Sequence, residues 1–313
     1  MTTRLILEVC NVRHVYPEGG TGLAGCSINI RRGSRNALLG ANGSGKTTLL
    51  QQLNGLLRPA SGVILLDGSP LDYSRNGLNA LRSRVGLVFQ NPDRQLFSAS
   101  VFEDVSFGPL NLGLEEAEVR LRVAQSLAAV GMAAMADRPV HHLSFGQKKR
   151  VCIAGVLAMR PEVLLLDEPM AGLDVAAQTE LLAVLDELSS RGITVVLSTH
   201  DVDHAYRWAD DIHVLAAGRC IASFDAGRLP EQEVALKAAG QALPAVVELH
   251  RALAARGLQP ATPAPRSMNA LIASLAAWPP HGLAEAAPLG TSLGTPPSTR
   301  PWHDARRGRL RRH

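Results

Sequence analysis

Gly40-Ala41-Asn42-Gly43-Ser44-Gly45-Lys46-Thr47 is the stretch that decides the fold. Apolar Ala37-Leu38-Leu39 precedes it, and a helical pattern carrying Leu49, Leu50 and Leu53 follows it. The stretch therefore reads as a loop joining a strand to a helix. Its glycines let backbone N–H groups turn inward around an anion, and the helix start adds its positive end. In such a loop Lys46 reaches the β- and γ-phosphates of a nucleotide, and the Thr47 hydroxyl ligates Mg²⁺. Asn42, Gly43, Ser44, Gly45 and Thr48 complete the nucleotide-binding run.

A phosphate loop calls for a matching carboxylate, and two apolar runs frame the search. Val163-Leu164-Leu165-Leu166 ends in Asp167-Glu168, and Ile193-Thr194-Val195-Val196-Leu197-Ser198 leads to His200. Continuous apolar runs with polar residues at their C-terminal ends suit buried strands of a parallel sheet. Asp167 can hold Mg²⁺ through water, and Glu168 can act as general base on an attacking water. Helical patterns near Lys46 and from Gln178 (Leu181, Leu182, Leu185, Leu188) alternate with these strands, which predicts an α/β domain. Residues 5–39 read as short strands separated by Gly-rich turns, and 91–160 as a helical insert, with Val119, Val123 and Leu127 on one helix face.

The 313 residues are 46% hydrophobic and 19% charged, a globular balance. Aromatics are only 4%, which leaves little material for base-stacking platforms and speaks against a nucleic-acid partner. The net charge of +4 falls to −1 once Arg306, Arg307, Arg309, Arg311 and Arg312 are set aside, so the basic character belongs to the C-terminal end. Cys10, Cys26, Cys152 and Cys220 show no short pairing, so zinc spacing is lacking and a reducing compartment is expected. No stretch approaches the roughly 20 apolar residues that span a bilayer. From Leu258 onward nine of the 19 prolines occur, so 259–313 is expected to be a disordered tail. Pro244–Arg256 is expected to form one more helix, with Val246, Leu249 and Leu253 on a face.

Leu143-Ser144-Phe145-Gly146-Gln147 adds a third element. Ser144 with Gln147 three residues later is a capping-box pattern opening a helix, and its free N–H groups suit a second anion. Two helix-end phosphate sites for one nucleotide make sense when the second serves a partner's nucleotide, which points to a dimer.

With these motifs in this order, residues 5–225 resemble the ABC transporter ATPases. The resemblance implies a P-loop NTPase core with a parallel sheet, an N-terminal antiparallel β region and a helical insert, in a domain of residues 1–225. Gln90 resembles the Q-loop glutamine, Leu143–Gln147 the signature motif and Val163–Glu168 the Walker B strand. Ala171-Gly172-Leu173-Asp174 resembles the D-loop, His200 the switch histidine, and Tyr16 the aromatic that stacks on adenine. By resemblance, two subunits sandwich two ATP molecules. Glu168 would be the base, His200 would contact the γ-phosphate, and Thr47, Gln90 and Asp167 would surround Mg²⁺. Ser144, Gly146 and Gln147, with Asp174 of the D-loop, would serve the opposite subunit's nucleotide. Phe145 stands where most members carry glycine, and its side chain is expected to point outward.

Gln90-Asn91-Pro92-Asp93-Arg94-Gln95-Leu96-Phe97 and Val101–Pro109 are similar to the energy-coupling-factor importers, above all the cobalt and nickel uptake ATPases. That likeness implies an ATP-hydrolysing subunit, peripheral on the cytoplasmic face of the membrane. Its partners would be a transmembrane coupling subunit, a substrate-binding membrane subunit and a second ATPase, either another copy or a paralogue. Cobalt is the first cargo it suggests, with nickel or a vitamin as alternatives. Residues 226–258 fit the small C-terminal extension of that group. An ABC-type ATPase acting on DNA or ribosomes is the competing reading, but the sequence shows no long coiled coil, zinc cluster or second head. A GTP switch would need an Asn-Lys-x-Asp motif, which is missing.

Overall fold

Strands β1 (Leu5–Val15) and β2 (Thr21–Arg31) pair antiparallel, and β4 (Ser61–Leu66) and β5 (Ser69–Pro70) extend them into a sheet of order β2-β1-β4-β5. The second sheet has six strands. They are β3 (Arg35–Leu39), β6 (Val85–Val88), β7 (Val163–Leu166), β8 (Thr194–Thr199), β9 (Asp211–Ala216) and β10 (Arg219–Asp225), in the order β10-β9-β3-β8-β7-β6. All neighbours in it run parallel except the β9–β10 hairpin at one edge. The computed structural model describes residues 4–258 and 263–277.

Alternation along each parallel strand divides the core in two. Leu38, Val163, Leu165 and Val196 face helix α1 (Lys46–Leu53) and the antiparallel sheet, where Ile6, Leu7, Leu49, Leu50 and Leu53 are buried. Leu39, Leu164, Leu166, Val195 and Leu197 face the opposite layer, which includes Leu181 and Leu185 of helix α6 (Val175–Ser190). Covered on both faces, these strands read as unbroken apolar runs. Arg32 and Arg84 each pair with both Asp67 and Glu162, clamping the β4–β5 turn to the start of β7. Arg84, followed by Arg32, holds both carboxyls below their ordinary range.

The insert between β6 and β7 contains helices α3 (Val101–Asn111), α4 (Glu116–Ala129) and α5 (Phe145–Leu157). Val119, Val123 and Leu127 are all buried, as the periodicity predicts. Capping boxes at Ser100–Glu103 and Ser144–Gln147 start α3 and α5. Helix α2 (Arg75–Arg84) precedes β6, and helix α7 (Val202–Trp208) lies between β8 and β9.

The C-terminal part departs from the sequence expectation. Helix α8 (Glu233–Ala238) contributes Leu236 to the core, and α9 (Ala245–Ala254) buries Val246, Val247 and His250 while Leu249 is exposed. The buried stripe is thus rotated from the expected Val246/Leu249/Leu253 face. Within the segment expected to be disordered, residues 263–277 carry helix α10 (Met268–Ala276). Leu271 is fully buried, and Arg266 donates to the carbonyls of Tyr206 and Ala209 at the end of α7. The Tyr206 hydroxyl in turn donates to the carbonyl of Ala264. One buried leucine and a guanidinium on free helix-end carbonyls are enough to dock a short segment whose composition suggests none. The arginine cluster at 306–312 lies outside the described residues.

Candidate functional site

Four parallel strands deliver the site. The loops after β3, β6, β7 and β8 all leave the C-terminal edge of the sheet, and register sets Leu39 beside Thr199 and Leu166 beside Leu197. Ligand-binding loops of open α/β sheets emerge at this edge. The phosphate loop turns there into α1 through Gly45, whose φ of +105° places it in the left-handed region. Backbones also press close at this point. A Cβ on Gly45 would lie 2.6 Å from the carbonyl oxygen of Gly22, and one on Gly218 would lie 2.9 Å from the Ala24 nitrogen.

A cleft of about 290 Å³ opens over the loop. Tyr16, Asn42, Gly43, Gly45, Lys46, Thr47, Thr48, Gln90 and Glu168 all line it, together with Thr21 and Gly22. Ser44 lies beneath, its hydroxyl oxygen buried without a hydrogen-bond partner. The Tyr16 hydroxyl is 2.8 Å from Thr48 Oγ1. Lys46 is buried, donates to the carbonyls of Gly40 (2.7 Å) and Ala41 (3.2 Å), and stands 3.4 Å from Glu168 Oε1.

The two carboxylates are held differently. Asp167 accepts one hydrogen bond from Thr47 Oγ1 at 2.8 Å and another from Ser198 Oγ at 2.7 Å. Glu168 has φ +44°, an uncommon conformation for a side-chain-bearing residue, and His200 Nδ1 lies 3.1 Å from its Oε2. Its backbone N–H donates to Ser198 Oγ at 2.9 Å, while Oε1 has no hydrogen-bond partner. Ser198 thus serves both carboxylate residues, donating to one and accepting from the backbone of the next. Sequence reasoning passed it over as part of a β-branched run. Its signal was a small hydroxyl residue directly after the apolar Val195-Val196-Leu197 run, at the C-terminal end of the strand.

Behind His200, Asp201 caps α7 by accepting from the His204 N–H at 2.9 Å. The His204 side chain, then its backbone N–H, pulls the Asp201 carboxyl down to about 2.

The donor set fits a divalent cation beside a polyphosphate. A hydroxyl and a carboxylate oxygen, Thr47 and Asp167, stand side by side at the start of α1, and hard cations take oxygen ligands. Ser44 Oγ, without a hydrogen-bond partner among the described residues, and Glu168 Oε1, which faces Lys46 only as an ion pair, supply further polar capacity. Gln90 is exposed on the cleft wall.

Ser144, Gly146, Gln147 and Asp174 do not line this cleft. They form a second patch on the same chain. The Ser144 hydroxyl accepts from the Gln147 N–H, and the Gln147 side chain accepts from the Ser144 N–H at 2.9 Å. A Cβ on Gly146 would lie 3.5 Å from Leu173 and 3.6 Å from Ala177, so the start of α5 packs tightly on the loop before α6. Asp174 caps α6, accepting from Ala177 N–H at 2.8 Å. Phe145 is 38% exposed, yet its ring does not simply point outward. It lies against Gly172 and beneath the Lys149 ammonium, 5.3 Å from the ring centroid.

Beside the insert, a groove of about 650 Å³ lies among α2, α3 and α5. Phe97 (66% exposed), Phe107, Leu56 and Leu112 border it, and the Phe97 and Phe107 rings meet edge to face at 4.8 Å. Asp104 shapes this rim by accepting from the backbone N–H groups of Phe97 and Ser98, each at 2.9 Å.

Residues 23–171 match the ABC transporter family. The cobalt import ATP-binding protein CbiO of Rhodobacter capsulatus is 48% identical over 87% of this chain and 98% of its own length. The energy-coupling factor transporter ATP-binding protein EcfA of Methanothermobacter thermautotrophicus is 50% identical over 69% of this chain and 70% of its own. Among solved structures, cbiO1 of Clostridium perfringens, part of the transporter complex cbiONQ, aligns with a TM-score of 0.69 and 45% identity. That alignment covers 79% of this chain and 98% of that one. A dimeric cassette, MJ0796, bound to ADP and Pi aligns at 28% identity and a TM-score of 0.64, over 71% of this chain and 99% of that one. The chain belongs to the ABC transporter ATP-binding family, of the energy-coupling-factor type.

Proposed function

We propose that this chain is the ATP-hydrolysing subunit of an energy-coupling importer, and that the imported cargo is cobalt. The observation that carries the hydrolytic assignment is the hydrogen-bonded set Thr47–Asp167–Ser198–Glu168 with His200 beside it, at the head of the phosphate loop. Lys46 and the loop N–H groups take the phosphates, and Tyr16 borders the cleft where the adenine would stack. Thr47, Asp167 and Gln90 would hold Mg²⁺, which when bound would neutralise charge developing on the transferred phosphoryl group. Glu168 takes a proton from water as that water's oxygen bonds to the γ-phosphorus, and the bond to ADP breaks. His200, hydrogen-bonded to Glu168, orients that carboxylate, and it would contact the γ-phosphate of a bound nucleotide.

One chain supplies only half of each centre. Ser144, Gly146, Gln147 and Asp174 lie apart from their own cleft, which supports a sandwich in which they close over the nucleotide of a second ATPase subunit. The apolar groove at Phe97 and Phe107 is the surface on which a transmembrane coupling subunit's helices would seat. Among the described residues no helix is long and apolar enough to cross a membrane, in keeping with peripheral attachment to the cytoplasmic face through that subunit. A substrate-binding membrane subunit would select the cargo. Cobalt is favoured over a vitamin because the relative named for cobalt import aligns over nearly its whole length.

Expression with the membrane subunits of the same transporter, followed by reconstitution into vesicles, tests the reading. ATP-dependent accumulation of radiolabelled cobalt, abolished by Glu168→Gln while ATP binding persists, is the expected result. Uptake of nickel or a vitamin in place of cobalt would overturn the cargo. A Glu168→Gln chain hydrolysing ATP at the wild-type rate would overturn the site.

A further inference from the structure

Among the described residues, Lys149 is a buried cation that makes no ion pair with a carboxylate. Only 2% of its surface is exposed, and its Nζ donates to three backbone carbonyls, of Glu168 (3.2 Å), Pro169 (2.6 Å) and Ala171 (2.8 Å). An ammonium has three N–H donors, so the set is complete. Burying such a charge is costly unless every donor is satisfied, and an apolar side chain could have filled the same space more cheaply. What the lysine provides beyond packing is a directional tie between two elements.

Those two elements are the ones the reaction joins. On one side is the turn that presents the Glu168 carboxylate, closed by the Ala171 N–H donating to the Glu168 carbonyl at 3.1 Å. On the other is α5, whose first turn carries Ser144, Gly146 and Gln147. The neighbouring Lys148 pairs with Asp93 at 2.7 Å, just after Gln90 and beside the apolar groove. Phe145 closes the arrangement, its ring lying between the Lys149 ammonium and Gly172. Helix α5 therefore carries the signature patch in its first turn, ties to the segment after Gln90 through Lys148 and to the catalytic turn through Lys149, and borders the docking groove with Cys152, Gly155 and Val156.

We propose that Lys149 is a positioning residue that locks α5 to the 168–171 turn, so that capture of a partner's nucleotide at the start of α5 sets the Glu168 carboxylate of the same chain. The inference rests on the sandwich reading above, and it deepens that reading by naming the link between the two centres. Desolvation by burial draws the Lys149 pKa down to about 8, against the opposing influence of Cys152 and then of Glu168 and Asp167.

The test uses the full chain with saturating Mg²⁺-ATP. Lys149→Met keeps the length and removes every donor, whereas Lys149→Gln keeps two amide N–H donors. For Lys149→Met, kcat should fall by about tenfold or more, the scale of losing charge-assisted hydrogen bonds. KM and the affinity for a fluorescent ATP analogue should stay within about twofold, the Hill coefficient for ATP should drop toward one, and Lys149→Gln should recover part of the rate. A lysine that only stabilises the fold would lower the melting temperature and raise KM along with the fall in kcat, without recovery in Lys149→Gln. That pattern, unchanged kinetics in Lys149→Met, or failure of both variants to fold would overturn the proposal. Glu168→Gln is measured alongside. If it is as fast as wild type the site assignment fails, whereas a slow Glu168→Gln beside an unaffected Lys149→Met removes only the role of Lys149.

Discussion

Replacing Ser198 by alanine asks whether one hydroxyl aligns both carboxylates. The residue is fully buried in β8, so alanine fits the strand and deletes only the oxygen. Two hydrogen bonds go with it, the 2.7 Å bond to Asp167 and the 2.9 Å bond from the Glu168 N–H. A hydrogen bond to a charged group contributes about 1.5–3 kcal/mol, and a buried N–H left unpaired costs about 1–3 kcal/mol. Asp167 keeps its bond from Thr47, so the carboxylate is loosened rather than released. If half to all of one such bond is felt in the transition state, about 0.75–3 kcal/mol, kcat falls by roughly 3- to 150-fold. The Mg²⁺ concentration for half-maximal rate should rise as well, because Asp167 loses the partner that fixes one of its oxygens. Nucleotide affinity without Mg²⁺ should be unchanged, since Ser198 does not line the cleft. Steady-state ATPase titrated with Mg²⁺, alongside equilibrium binding of a fluorescent nucleotide, separates these effects. A Ser198→Ala chain with kcat and Mg²⁺ dependence both within about twofold of wild type would refute the reasoning.

Other perturbations probe separate parts of the molecule. Ser144→Arg should abolish hydrolysis while dilute protein still binds nucleotide, because Ser144 lies outside its own chain's cleft; lost binding in that dilute assay would contradict the two-patch arrangement. His213 is buried between Asn36 and Ser223, and burial lowers its pKa from 6.5 to about 4. Its unfolded form therefore binds the extra proton between those values, so stability should be lost as pH falls from 6.5 to 4, by up to about 3 kcal/mol. Urea titrations at several pH values check this, and His213→Gln should flatten the dependence. Leu271→Ala should loosen α10 by about 2 kcal/mol or more, seen as faster proteolysis of residues 263–277. Resistance equal to wild type would mean that the polar ties at Arg266 and Ala264, and not Leu271, hold the docked helix.

The parallel sheet and the nucleotide cleft were legible because buried strands and a phosphate loop leave dense local signals. Val163–Leu166 had to be apolar on both faces, and a loop that wraps phosphate has to carry Gly45, Lys46 and Thr47 at fixed spacing. Strand β6 left no such mark. Four residues, one of them Gly86, following a largely polar α2, cannot be told from a loop by period. Helix α10 was hidden by its proline-rich surroundings, since its docking depends on Leu271 and Arg266 reaching groups far away in sequence. Ser198 and Lys149 went unread for the same reason. A serine in a strand and a lysine in a helix acquire their roles only when the fold brings Asp167, Glu168 and the 168–171 turn to them.

The floor of the cleft has a consequence for anyone wishing to retune this enzyme. Where Gly45 meets Gly22, and Gly218 meets Ala24 and Leu23, main chain rests on main chain with no room for a methyl group. Selection for altered nucleotide preference has no purchase there, because every substitution would push whole strands apart. Adaptive variation is left to the mouth, at Tyr16 and Thr21, where a new side chain meets solvent and ligand and leaves the framework undisturbed.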